Sequence, residues 1–163
     1  MNIRKVELAD AEQIAEIYNY YIQNTHQTFE TDPLSGDEMR RRIVNIIENY
    51  PYFVAELDGE VCGYAYATQF KMRTAYAYAV ELAIYVKNAA KQKGIGTHLY
   101  NRLFDELSET DAHAIIAGIA LPNDPSVRFH ERLGFSKVAH FREVGYKLGR
   151  WVDVGYWQMM NRL

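Results

Sequence analysis

Residues Ala75–Val86 read AYAYAVELAIYV, an apolar run broken by a single charge, Glu81. A stretch of that length and composition reads as one long strand. Side chains alternate across a strand, so Tyr76, Tyr78, Val80, Leu82, Ile84 and Val86 share one face. Ala75, Ala77, Ala79, Glu81 and Ala83 share the other. A carboxylate on a face of alanines has open space beside it. Burial raises a carboxylate's pKa, which suits a general base near neutral pH. The competing reading is a Glu paired with an arginine or held by backbone donors, because an unpaired buried charge is expensive.

The flanking segments alternate between extended and helical patterns. Asn2–Val6 reads as a short strand. Ile14, Ile17, Tyr18, Tyr21 and Ile22 make the stripe of an amphipathic helix. Ser35, with Glu38 three residues on, has the form of a capping box ahead of a second stripe, Met39, Ile43, Ile46, Ile47 and Tyr50; Pro51 stops it. Tyr52–Leu57 and Val61–Thr68 flank Asp58-Gly59, a strong hairpin signal. Residues 94–109 return to helix, with Ile95, Leu99, Leu103 and Leu107 in line. His113–Leu121 reads as a buried strand, and Pro122–Leu133 as a short helix. Ser136–Leu148 and Trp151–Met160 form a closing hairpin around Gly149. These elements predict a mixed α+β fold. With 163 residues, 48% of them hydrophobic, the chain suits one domain over 1–163.

Composition removes several function classes. A net charge of −3 argues against wholesale nucleic-acid binding. Cys62 is the one cysteine, so no intrachain disulfide or cysteine-rich zinc site is expected. His26, His98, His113, His130 and His140 lack metal-ligand spacing, so no metal is expected. No apolar run reaches the roughly 18 residues of a bilayer span, and Met1–Gln13 has no signal-peptide core. The expected location is the cytoplasm, without membrane partners.

Lys91-Gln92-Lys93-Gly94-Ile95-Gly96-Thr97 follows a strand and opens a helix. Glycines there permit a tight turn and leave amides uncovered, and the helix dipole favours an anion, most often a phosphate. Lys87, Lys91 and Lys93 add positive charge. A plain glycine turn with solvated lysines has the same spacing. A P-loop is excluded, since no Gly-Lys-Ser/Thr follows, and the G-x-G-x-x-G fingerprint is absent.

Downstream, Asn123 or Asp124 caps a helix with Pro125 near its first turn, and His130 lies about two turns in. An isolated histidine there is as readily a packing residue. Lys71, Arg73 and Tyr76 lie just ahead of the Glu81 strand, where two cations suit a carboxylate. They read equally as a solvated basic loop.

In order and spacing these features resemble the GNAT superfamily of N-acetyltransferases, and in particular its phosphinothricin N-acetyltransferase branch. The resemblance rests on YFVAELDGEVCG (Tyr52–Gly63), GYAYA (Gly63–Ala67), Lys71–Tyr76, ELAIYV (Glu81–Val86), LPNDPSVRFH (Leu121–His130), Leu133-Gly134-Phe135 and GRWVDVGYWQ (Gly149–Gln158). It covers nearly the whole chain. It implies a mostly antiparallel central sheet, helices on both faces, and a splay between the two central strands. It implies acetyl-CoA as co-substrate, a small amino-acid substrate and a homodimer. The backbone at Ile84, Tyr85 and Val86 then faces the pantetheine and acetyl group. Gln92, Lys93, Gly94, Ile95, Gly96 and Thr97 wrap the pyrophosphate, and Asn123 contacts coenzyme A. Glu81 and His130 match residues proposed as catalytic, Glu81 as the base. Lys71, Arg73 and Tyr76 match the substrate pocket. The chain departs from the superfamily in having Lys91 where Gln or Arg is usual, and His130 where many members carry a tyrosine acid. Two other functions fit a fold of this kind: a non-catalytic acyl-CoA sensor, and an acetyltransferase acting on a protein amine.

Overall fold

The computed structural model describes residues 1–91 and 93–161. Its strands are β1 (Asn2–Lys5), β2 (Tyr52–Leu57), β3 (Glu60–Gln69), β4 (Ala79–Val86), β5 (Ala114–Leu121), β6 (Ser136–Lys147) and β7 (Arg150–Met160). They form one sheet in the order β1-β2-β3-β4-β5-β7-β6. Only β4 and β5 pair in parallel; the other pairings are antiparallel. Helices α1 (Ala11–Asn24) and α2 (Gly36–Ile47) cover one face, and α3 (Ile95–Ser108) and α4 (Asp124–Arg132) the other. The expected α+β layout with helices on both faces is the one the chain adopts.

Local sequence explains most boundaries. Asp58 and Gly59 take φ of 50° and 82°, and Leu148 and Gly149 take 51° and 76°. Both pairs have the positive-φ backbone that two-residue hairpin turns need to match the right-handed twist of their strands. The α3 stripe Ile95, Leu99, Leu103 and Leu107 is buried against Phe53, Leu82 and Ile115. Each such side chain contributes about 2 kcal/mol by leaving water. Ser35 caps α2, its Oγ accepting from the Glu38 N–H at 3.1 Å. The reciprocal half of the capping box is not made, because the Glu38 carboxylate is drawn to Arg41 and Arg42.

The strand expected over Ala75–Val86 begins only at Ala79. Thr74–Tyr76 instead form a 3-10 turn, with the Arg73 carbonyl accepting from the Tyr76 N–H at 2.9 Å. The physical reason is the lack of partners. β3 ends at Gln69 opposite Val80, and β5 starts at Ala114 opposite Ala79. No ladder remains for the earlier residues, so Tyr76 and Tyr78 are exposed rather than sharing the Val80 face.

The aromatic end also divides. Trp157 is 2% exposed and belongs to the core, whereas Trp151 is 62% exposed. Among the described residues no helix is long and apolar enough to cross a membrane.

Candidate active site

β4 and β5 stay paired for three residues, Ala79–Glu81 against Ala114–Ile116, and then separate. The expected splay is therefore present, and it opens immediately after Glu81. Strand alternation decides which backbone groups face it. The Ala79 carbonyl accepts from Phe70 N–H and the Lys87 N–H donates to Cys62, both on the β3 side. Odd-numbered residues of β4 thus turn their N–H and C=O toward β3, and even-numbered ones toward β5. The Leu82 N–H still serves the last rung of the ladder, opposite Ile116, so the N–H groups of Ile84 and Val86 are the ones that point into the splay where β5 no longer meets them. The Val86 carbonyl accepts from the Tyr21 hydroxyl at 2.5 Å. Tyr85 differs from its neighbours: its backbone faces β3, while its ring sits 5.1 Å from those of both Tyr18 and Tyr21.

The splay is the floor of a cleft of about 330 Å³, lined by Glu81, Ala83, Tyr100, Gly118, His130 and Tyr156 among others. Among the described residues no cation or hydrogen-bond donor is paired with Glu81. That separates it from a structural carboxylate. Desolvation pushes its pKa up from the ordinary 4.5. A Cβ on Gly118 would stand 3.3 Å from Glu81 Oε1 and 3.3 Å from the Tyr156 ring, so Gly118 keeps a space open between them.

His130 is 3% exposed, held on α4. A carbonyl only accepts, so His130 Nδ1 carries the proton and donates to Ser126 O at 2.8 Å. Nε2 is then the acceptor for the Tyr100 hydroxyl at 3.1 Å. Desolvation lowers the His130 pKa and raises that of Tyr100. The imidazole is therefore neutral and engaged at both nitrogens. It orients a buried tyrosine that also lines the cleft, a partnership that local sequence gave no sign of. Asn123 Oδ1 accepts from Ser126 N–H at 3.3 Å, so Asn123, not Asp124, is the α4 cap, and it lies at the cleft rim.

A second opening, about 330 Å³, lies at the start of α3, lined by Val86, Lys91, Gly94, Thr97, Phe129 and Arg132 among others. Gly94 caps the helix at φ 75° with no side chain to satisfy the first amides. The Ile95, Gly96 and Thr97 N–H groups have no acceptor within the helix, and His98 N–H bonds the Gly94 carbonyl at 3.2 Å. The two glycines serve different ends. Gly94 supplies the left-handed backbone. Gly96 allows close packing, since a Cβ there would meet Phe129 at 3.2 Å and Ile84 at 3.5 Å. Lys91 and Arg132 bring positive charge, and Lys93 is exposed beside them. Lys87, expected to join them, is instead paired with Glu60. Gln92 lies outside the described residues.

Lys71 stands over the Phe70 and Tyr76 rings at 5.4 and 5.5 Å, and Phe70 reaches Tyr156 at 6.4 Å. These residues form an aromatic path toward the cleft without lining it. Arg73 is exposed on the preceding turn. Sequence reading missed a third wall, the segment Gln27–Phe29 between α1 and α2. No periodicity marks it, because loop residues enter the cleft through tertiary contacts.

The model of the acetyltransferase (GNAT) domain family matches residues 3–155. The phosphinothricin N-acetyltransferase of Streptomyces viridochromogenes is 39% identical over 97% of this chain and 86% of its own. The L-methionine sulfoximine/L-methionine sulfone acetyltransferase of Salmonella typhimurium is 36% identical over 98% of this chain and 93% of its own. A phosphinothricin acetyltransferase from Sinorhizobium meliloti, solved with acetyl-CoA, superposes with a TM-score of 0.95 at 37% identity, covering 98% of this chain and 88% of that one.

Proposed function

This chain belongs to the GNAT acetyltransferases, and from that premise we propose that residues 1–163 act as one domain that acetylates the primary amine of a small amino-acid-like substrate. Phosphinothricin, methionine sulfoximine and methionine sulfone are the candidates, because relatives that align over nearly the full chain act on them. The observation that carries this reading is the unpaired Glu81 at the point where β4 and β5 part, beside two inward-facing strand amides.

The residues fit acetyl-CoA, which is the acetyl donor and supplies a thioester. The Ile95, Gly96 and Thr97 amides, with Lys91 and Arg132, suit its pyrophosphate. The open β4 edge at Ile84 and Val86 suits the amide-bearing pantetheine arm, and Asn123 stands at the rim. Glu81 takes the proton from the substrate ammonium, and the free amine attacks the acetyl carbon. The Ile84 N–H stabilises the developing oxyanion, a donor of the kind that contributes about 3 kcal/mol. The carbon–sulfur bond then breaks, the amine's second proton passes to the departing sulfur, and coenzyme A leaves as the thiol. Lys71, Arg73 and Tyr76 receive the substrate's acidic end. His130 holds the Tyr100 ring in place at the wall of the cleft.

The test is release of free thiol from acetyl-CoA across a panel of amino acids. Release that depends on an added amine supports the reading. No release with any amine would make the chain an acyl-CoA-binding sensor, and release only with peptides would make it a protein acetyltransferase. We also propose a homodimer formed through β6 and β7, where Tyr146, Trp151, Val144 and Phe141 are each at least half exposed. A cytoplasmic location follows from the use of acetyl-CoA.

A further inference from the structure

Lys147 on β6 is 4% exposed and, among the described residues, has no carboxylate in salt-bridge range. Its Nζ donates to the Thr28 carbonyl at 2.7 Å and to the Tyr21 carbonyl at 3.4 Å. Its own carbonyl accepts from His26 Nε2 at 2.9 Å. Every one of these contacts reaches the end of α1 or the segment that follows it. Burying an ammonium on neutral carbonyls, with the Glu30 carboxylate acting only from beyond salt-bridge range, is a costly way to stabilise a fold, and an apolar side chain of similar length would serve packing better. Burial pulls the Lys147 pKa down, against a smaller upward pull from Glu30.

Two residues earlier on the same strand face, Gly145 accommodates Phe29. A Cβ on Gly145 would come within 2.4 Å of the Phe29 ring. Gln27, Thr28 and Phe29 in turn line the Glu81 cleft, and none of them lines the opening at the start of α3. One strand face therefore sets a wall of the reaction cleft by two devices, a donor pair at Lys147 and a missing side chain at Gly145.

We propose that Lys147 is a positioning residue that fixes the Gln27–Phe29 wall and so sets how tightly the acceptor amine is held. The proposal rests on the acetyltransferase reading for its kinetic consequence, but the wall itself is readable without activity. Lys147→Met keeps the apolar stem and removes the donor. Amide hydrogen exchange over residues 25–30 should then quicken by about 10-fold or more, while exchange in β2 and β3 stays as it was. The acceptor KM should rise by about 10-fold, with kcat and the acetyl-CoA affinity changed by less than about 3-fold. Lys147→Arg, which retains donors, should recover most of that KM.

Gly145→Ala is the second variant. It displaces Phe29 from the other side of the wall and should also raise the acceptor KM, and it carries the test if Lys147→Met does not fold. Unchanged exchange over 25–30 in a folded Lys147→Met protein overturns the proposal. So does a parallel loss of acceptor and acetyl-CoA binding, which marks a general packing defect. A wild-type protein that acetylates no amine refutes the enzymatic reading instead, and the exchange result still judges the wall.

Discussion

Glu81→Gln preserves the shape of the side chain and removes its basicity. The structure makes the expected outcome unusually specific. Glu81 has no partner cation among the described residues, so the amide leaves no charge stranded. Its folded pKa is raised above the ordinary 4.5 by desolvation. A carboxylate in that position lowers stability as pH climbs from its unfolded toward its folded pKa, and the cost persists above both. At neutral pH the variant should therefore melt at the same temperature as the wild type or higher. Its rate should nevertheless fall by about 10²–10⁴-fold, the usual loss for a general base. That corresponds to about 2.7–5.4 kcal/mol in the barrier. The assay is thiol release under saturating acetyl-CoA, followed from pH 5 to 9. Wild-type activity should decline as acid protonates Glu81, and the variant should lack that limb. His130 complicates the limb, because burial lowers its pKa from 6.5 while desolvation raises that of Glu81 from 4.5. The His130→Ala control differs in stability: it leaves the buried Tyr100 hydroxyl without its acceptor, which costs about 1–3 kcal/mol. Near-normal rates in Glu81→Gln, with the limb lost only in His130→Ala, would refute the assignment of the base.

Gly96→Val should weaken acetyl-CoA binding by about 10-fold, or about 1.4 kcal/mol by calorimetry, because the added methyls push α3 off Phe129 and Ile84; unchanged affinity in a folded variant contradicts the role given to the α3 amides. Arg73→Ala should raise the amino-acid KM far more than the acetyl-CoA KM in steady-state kinetics, and equal effects would place Arg73 outside substrate recognition. Trp151→Lys should convert a sedimenting dimer to monomer, and a wild-type protein that is monomeric at micromolar concentrations removes the dimer altogether. Burial alone would raise the Asp10 pKa, but hydrogen bonds from Arg4 and the Glu7 N–H outweigh it and hold it low. Its stabilising contribution is thus present above its unfolded pKa and lost as pH falls through the folded one. Asp10→Asn should cost about 2 kcal/mol in neutral denaturant melts, and less in acid.

Periodicity and turn chemistry were enough to place β2, β3, β6, β7 and the helices, because those signals are local. Asp58-Gly59 and Gly149 dictate hairpins whatever surrounds them. The alternating Ala-Tyr residues at 75–78 look the same as strand residues, and only the absence of ladder partners lets them close into a 3-10 turn. Site residues behaved likewise. Glu81 stood out as a charge where burial was expected, and the α3 glycines as a junction. The Tyr100–His130 pair, and the wall made by Gln27–Phe29 under Lys147, depend on groups brought together across the fold. The different duties of Gly94 and Gly96 also needed coordinates, since one answers to a dihedral angle and the other to a neighbouring ring.

The three-residue pairing of β4 with β5 has a mechanical side. Among the described residues it is the only ladder that joins the β1–β4 half of the sheet to the β5–β7 half. An amide-bearing arm bound along the open β4 edge would act as a partial eighth strand and would stitch the halves where the protein's own ladder stops. Cofactor binding and cohesion of the sheet are then one event. At a hundredfold excess over its dissociation constant, such a ligand adds about 2.7 kcal/mol to the folded state. The melting temperature of the purified protein should accordingly rise with added acetyl-CoA.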